Sequence, residues 1–533
     1  MTDMPYDILI RRGRVIDGSG SPWFIAEVAL RGDRIADVGS LGGAAAHRVI
    51  NAEGRVVCPG FIDLHTHGDL MHLAYPDAAP RVMQGVTTDT IGQDGLSYAP
   101  VTAASLAYFR RQVRAINGDP DGLAWDWRSV GEFLARFDRK TSVNVAYLLP
   151  HGPVRFLGMG GAEKRAPTEG EMRHMRELVA EGMREGAVGF STGLTYAPCS
   201  FASSEELVEL CRAAAAFDGA FMPHLRSYGA GVMEAMDEAV QIAREARIAL
   251  HLTHHQVVFP LNEHRVPEYL AVIDRARAEG MDVTCDSYPY VAGSTFVRGM
   301  LPGWSQGLTV DEFAATLRDP AGRERIRHEV EDLGCDGSHG VPMDWSRIQI
   351  SGVKTEAGRR WVGMRIDAAA RDAGMRTFDF VAELLIAEEG EVACVSFFGY
   401  EHAVQAIMRH PAHMVGSDAI MAGERPHPRA WGAHARYLAR YVRELGVLTW
   451  EEAIRKMTSA PAARLGLADR GLVKRGLAAD LVVFDPRTIQ DTATFEDPKR
   501  HPVGVEHVIV NGALVVDGGV HTGARPGRAL RRG

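Results

Sequence analysis

No two cysteines in this sequence are spaced as CxxC. The six present, Cys58, Cys199, Cys211, Cys285, Cys335 and Cys394, are scattered over 533 residues. So sparse a set excludes a disulfide framework and points to reduced thiols in a cytoplasm. Also missing is any apolar run approaching the roughly 18 residues needed to span a bilayer. The segment from Met1 to Asp7 has neither a basic start nor an apolar signal core, so the expectation is a soluble protein that is not exported and has no membrane partner. No basic block occurs either. The net charge of −9 is spread along the chain, which argues against nucleic acid as a partner. What is present is ordinary for a globular enzyme, with 46% hydrophobic and 24% charged residues. A chain of 533 residues exceeds one simple core, so a large unit with at least one smaller companion is expected.

The two ends read alike. Tyr6 to Ile10 alternates weakly, Gly13 to Gly18 reads as a short strand, and Glu27 to Val38 reads as a hairpin with Gly32-Asp33 near its tip. Near the other end Ala479 to Phe484 is strand-like, and Asn511-Gly512 between apolar runs is a strong hairpin signal. A small β-sandwich built from residues 1–58 and 470–533 is therefore expected. Between them, strand-like runs end at His67, near Asp94, at His151, near Thr192, at His224, at His254, near Tyr288 and at Asp418. Helical patterns such as Ser204 to Phe217 separate most of them. Eight β-α repeats predict an α/β fold, a (β/α)8 TIM-like barrel over residues 59–469. The 120-residue interval before the last strand is too long for one helix. It predicts an inserted subdomain, about 295–377, set beside the strand ends as a lid.

Polar residues fall where the strands end, and that rim is where such barrels place their chemistry. His65 and His67 are two apart, so in a strand both imidazoles face one side. His224, His254 and Asp418 end separate strands and can converge with them only in a closed barrel. Imidazole and carboxylate ligands suit Zn2+, as one or two ions, with other divalent metals as alternatives. Such an ion lowers the pKa of water to about 7. Asp418 would then act as the catalytic base and return the proton to a leaving group. His255, adjacent to His254, points the other way and is expected behind the barrel. His251 and His72 are discounted likewise. His151 is expected to line the site without binding metal.

These segments resemble the amidohydrolase superfamily and, within it, the D-aminoacylase (N-acyl-D-amino-acid deacylase) family. The resemblance rests on Pro59 to His67, Gly85-Val86-Thr87-Thr88, Phe190 to Leu194, His224-Leu225-Arg226, His254-His255, Tyr288-Pro289-Tyr290, Ala292 to Thr295, Gly416-Ser417-Asp418, His427-Pro428-Arg429 and Ala479 to Val482, in family order over most of the chain. It implies hydrolysis of the amide bond of an N-acyl-D-amino acid by a zinc-dependent enzyme, giving a carboxylate and a free D-amino acid. It implies that His65, His67 and Asp418 form one metal subsite, and that His224 and His254 form the other. It also implies that Arg429, Tyr288 and Ser294 hold the substrate α-carboxylate.

Two positions depart from the family pattern. Asp94 stands where D-aminoacylases carry a cysteine ligand, and a carboxylate is a harder donor than a thiolate. Gln256 stands where some relatives carry a lysine that serves acidic side chains. Arg298 is a candidate replacement cation, and Tyr196 a candidate wall of an apolar side-chain pocket. Rival readings are a hydrolase of cyclic amides, a hydrolase of peptides or specialised N-acyl compounds, and a non-catalytic scaffold. The cyclic-amide enzymes usually carry a carboxylated lysine, yet no lysine lies between His67 and Lys140. The scaffold reading conflicts with survival of all four histidines and the aspartate.

Overall fold

The computed structural model describes residues 5–532. Eight short parallel strands form its centre: Phe61–Asp63, Val86–Ile91, Asn144–Pro150, Gly189–Gly193, Ala220–His224, Ala249–Leu252, Val283–Ser287 and His413–Val415. Each pairs with its neighbour in that order. The first and last meet through a parallel bridge between Thr66 and Ala419, which brings the barrel to closure. Apart from the partly buried Ala249, the strands are buried along their whole length, as expected where a parallel sheet is covered on both faces. Ile62, Leu64, Leu148, Met222 and Met414 fill the interior. Outside, amphipathic helices pack on the strands. Glu169–Arg184 begins in a Thr168/Glu171 capping box, which satisfies two otherwise orphaned backbone donors. Among the described residues no helix is long and apolar enough to cross a membrane.

Both ends of the chain enter one continuous nine-stranded sheet rather than two separately bonded layers. The joint is an antiparallel pair between Val56–Pro59 and Leu481–Phe484. Tyr6–Val15 is a single strand with an irregularity between Ile10 and Gly13, where two short pieces had been expected. Side-chain alternation gives the sheet two apolar faces. Leu481 and Val483 pack with Ile8, Ile10, Val28 and Leu30 in the sheet's own core. Val482 and Phe484 pack with Phe61, Val86 and Met457 against the barrel. The expected hairpins are in place: Phe24–Arg31 pairs with Arg34–Gly39, and Val505–Val510 pairs with Ala513–Asp517. Asn511 and Gly512 both have positive φ (46° and 80°), the requirement of a tight hairpin turn.

The insertion is longer than the sequence suggested. Gly293–Phe296 pairs with Ala393–Ser396, which pairs in turn with Ile348–Gly352. The unit therefore runs from 293 to 396, because its last strand returns to its first. It has its own core, including Phe313, Leu317, Ile350, Phe378 and Val381. It is fastened to the barrel by a backbone hydrogen bond from Ala230 N to His339 O (2.9 Å), and just past its last strand Phe259 N donates to Phe398 O (3.1 Å).

Candidate metal centre and substrate cavity

Four histidines and two aspartates meet at the barrel rim. His65 Nε2 lies 3.6 Å from both Asp94 Oδ1 and Asp418 Oδ1. His67 Nε2 lies 3.6 Å from Asp94 Oδ2 and 3.3 Å from Asp418 Oδ1. His224 Nδ1 and His254 Nε2 each lie 3.5 Å from an Asp94 oxygen. Asp94 thus occupies the middle of the cluster, with one oxygen facing His65 and His254 and the other facing His67 and His224.

These residues fit a metal ion. His65 Nε2 and Asp94 Oδ1 are buried without a hydrogen-bond partner among the described residues, a costly arrangement unless another group satisfies them. Tetrahedral ligands at zinc bond lengths lie roughly 3.3–3.4 Å apart, close to the separations seen. Three sets, His65/His67/Asp94, His65/His254/Asp418 and Asp94/His224/His254, could each hold an ion.

Local backbone puts these groups in place. Asp94, His254 and Asp418 all have φ in the left-handed region (55°, 33° and 51°), strain of the kind that collects at functional sites. A Cβ on Gly92 would come within 2.1 Å of Leu148 O, so only glycine allows the turn that carries Asp94. Asp286 Oδ1 accepts from His254 N at 2.8 Å, and its other oxygen holds His251 Nε2 at 2.8 Å. Asp63 Oδ1 accepts from His65 N (3.1 Å) and Ser417 N (2.8 Å), tying the first strand to the last.

Burial shapes the charges. It lowers His65 to about 4 against the pull of Asp94 and Asp418. At His67 burial acts in the same sense, but hydrogen bonds to Asp418 and Asp94 outweigh it and raise the group to about 9. Burial opposes ionisation of Asp418, yet the Arg429 guanidinium and neighbouring histidines hold it well below the usual carboxylate range. At Asp94, His65, His254 and His224 likewise overcome the penalty of burial.

All of the cluster but the deeper His65 floors a cavity of about 950 Å³, counting its open mouth. Tyr196, Gln256, Tyr288 and Ser294 line it, as do insertion residues Met300, His339 and Met343. Tyr196 Oη is hydrogen-bonded to Thr295 Oγ1 (2.9 Å), Gln256 Nε2 donates to Tyr290 O (3.3 Å), and Ser294 Oγ donates to Cys394 O (2.9 Å).

Three expectations meet a different placement. His151 is fully buried below the rim, bonded to Thr192 Oγ1 (2.8 Å) and Glu206 Oε1 (3.1 Å), and is not part of the cavity wall. The Glu206 and Arg155 pair on the outer helices draws it away from the opening. Arg429 is also fully buried, with Nη2 2.9 Å from Asp418 Oδ2 and its guanidinium over the Tyr288 ring. It contacts the Asp418 carboxylate and is not part of the cavity wall. Arg298 donates to Gln306 O and Leu308 O inside the insertion, so it supplies no cation to the pocket. His72 lies on Asp89, and His255 packs against Tyr269.

Sequence reasoning passed over Tyr228, Asp286 and His339. Asp286 carried a usable signal, a lone carboxylate inside the uncharged strand Val283–Ser287. Tyr228 and His339 carried none, since both sit in loops.

A metal-ligand cluster at the rim of a (β/α)8 barrel defines a class of hydrolase, and the family comparison agrees. The sequence pattern described as "Amidohydrolase family" matches residues 48–319 and 365–516. The D-aminoacylase of Alcaligenes xylosoxydans xylosoxydans is 36% identical over 99% of this chain and 98% of its own. A solved D-aminoacylase, studied for the role of its binuclear metal centre, superposes with a TM-score of 0.83 at 35% identity, covering 99% of this chain and all of the other. The N-acyl-D-glutamate deacylase of Bordetella bronchiseptica, solved with zinc and a phosphonate mimic of the tetrahedral intermediate, gives 0.82 at 34% identity over 99% and 100%. The chain belongs to the amidohydrolase family, on its D-aminoacylase branch.

Proposed function

We propose that the protein is a metal-dependent hydrolase of N-acyl-D-amino acids that releases a carboxylate and a free D-amino acid. The observation that carries this reading is the convergence of His65, His67, Asp94, His224, His254 and Asp418 in one cluster, all but the deeper His65 lining a single cavity. Zinc bound there would polarise the amide carbonyl and acidify water to a pKa of about 7. The chain's own residues supply the rest. Asp418 accepts the proton of the attacking water and passes it to the departing nitrogen. Arg429 keeps Asp418 ionised and oriented from behind. Tyr288 and Ser294 lie on the wall where an α-carboxylate would rest.

Among the described residues the cavity wall includes no lysine, which disfavours a centre built on a carboxylated lysine and with it the cyclic-amide reading. All six cysteines are free, in keeping with a cytoplasmic location. The test is metal content of the purified protein, paired with chiral amine release from N-acetyl-D- and N-acetyl-L-amino acids. Zinc with D-selective release is expected. Release from the L series, or none from either, would sink the reading.

A further inference from the structure

Among the described residues the cavity wall contains no lysine or arginine. A substrate group bearing a negative charge away from the α-carboxylate would lose water there without gaining a counter-ion, which is costly. Two neutral polar groups nevertheless sit together on the wall. His339 comes from the insertion and Tyr228 from the loop after Ala220–His224. Their rings meet edge to face at 5.5 Å.

Both have unused hydrogen-bonding capacity. His339 Nδ1 is buried and has no partner among the described residues. Tyr228 has a donor to spare. Its oxygen accepts from Leu225 N at 2.8 Å and lies 3.0 Å from His254 Nδ1. With His254 serving as a ligand through Nε2, its proton is on Nδ1 and is donated to the phenol oxygen. Both acceptor positions of that oxygen are then filled, and the Tyr228 O–H proton is left for a third partner.

His339 is held firmly enough to select. It has φ of 61°, its backbone N–H donates to Asp336 O at 3.0 Å, and its carbonyl oxygen accepts from Ala230 N and Ser227 Oγ. A Cβ on Gly229 would stand 2.4 Å from His339 O, so the close approach requires glycine.

We infer that His339 and Tyr228 form a specificity subsite for an uncharged hydrogen-bonding side chain, such as a carboxamide, on the D-amino acid. The phenol offers a donor, and a neutral imidazole offers a donor or an acceptor to the same group. This inference rests on the deacylase reading. An aliphatic side chain would leave both groups unpaired, and an acidic one would find no cation.

The experiment compares kcat/KM for N-acetyl-D-glutamine, N-acetyl-D-glutamate and N-acetyl-D-methionine, three side chains of similar size. It uses the metal-loaded wild-type protein, His339→Leu and Tyr228→Phe, each checked for metal content. The wild type should favour glutamine over both others by about 10-fold or more. His339→Leu should cut the glutamine-to-methionine ratio by about 10–100-fold while its metal content stays at the wild-type level. Tyr228→Phe should lower the same ratio at saturating metal. Calorimetric binding of free D-glutamine should weaken in parallel. A wild type that prefers methionine or glutamate, or a His339→Leu variant that keeps the wild-type ratio, overturns the subsite and leaves the deacylase reading standing. Absence of turnover on all three by the wild type overturns both.

Discussion

The cavity has two unlike halves. Its floor is built by the barrel, from residues at strand ends or within four positions past them, several held in strained backbone. Its far wall is built partly by the insertion, from loop residues such as His339 and Met343 that no strand fixes. The floor gathers charge and ligand atoms. The wall is mostly apolar with a few neutral polar groups. The ligand atoms are thus anchored in the part whose geometry is set by a closed sheet, and the proposed selecting residue His339 sits in a part joined to it by loop contacts such as Ala230 N to His339 O.

That division can be broken from the floor first. Asp418→Ala should lower kcat by about 10³–10⁴-fold with the fold retained, measured as steady-state turnover beside metal analysis. Near-normal turnover with metal bound would remove Asp418 from the proton path. Asp94→Ala should reduce metal affinity by more than the roughly 10–100-fold typical of an outer partner, seen in chelator competition. Unchanged affinity would make Asp94 a turn residue only.

Arg429→Met should be milder, lowering kcat by about 10–100-fold. The sign of its pH effect follows from geometry. Arg429 depresses Asp418, and the carboxylate form exists above that pKa. Removing the guanidinium raises the pKa, so the acid limb of the kcat profile should move to higher pH. Arg429→Lys keeps the charge and should move it less. The smallest effect belongs to the wall. Gly229→Ala would push against His339 O and should raise KM about 10-fold, with metal content and kcat little changed. A fall in kcat equal to the rise in KM would show that wall and floor are not separable.

Much of the floor was legible because a buried parallel strand is an apolar run, and a run that ends in His or Asp marks the rim. All eight barrel strands were placed this way, as were the residues now clustered around Asp94. The Asn511-Gly512 turn is local chemistry and was equally readable. What escaped was set by tertiary contact. Nothing in the segment after His224 shows that Tyr228 folds back to His254. Nothing near Arg429 shows that its guanidinium turns to Asp418 and not to the cavity. His151 ends a strand as the ligands do, and only the outer Glu206 decides its direction. The insertion's end was misjudged because its closing strand, Ala393–Ser396, pairs with a segment a hundred residues earlier.

The terminal sheet has a consequence for how the chain is made. Val56–Pro59 pairs with Leu481–Phe484, and Ala529–Leu530 lies along the barrel strand Asn144–Pro150. A chain emerging from the ribosome N-terminus first therefore holds an unpaired strand edge through more than four hundred residues of synthesis. That edge is open to wrong partners throughout, and the slow step of assembly should be closing this longest loop, not forming the barrel's local β-α units.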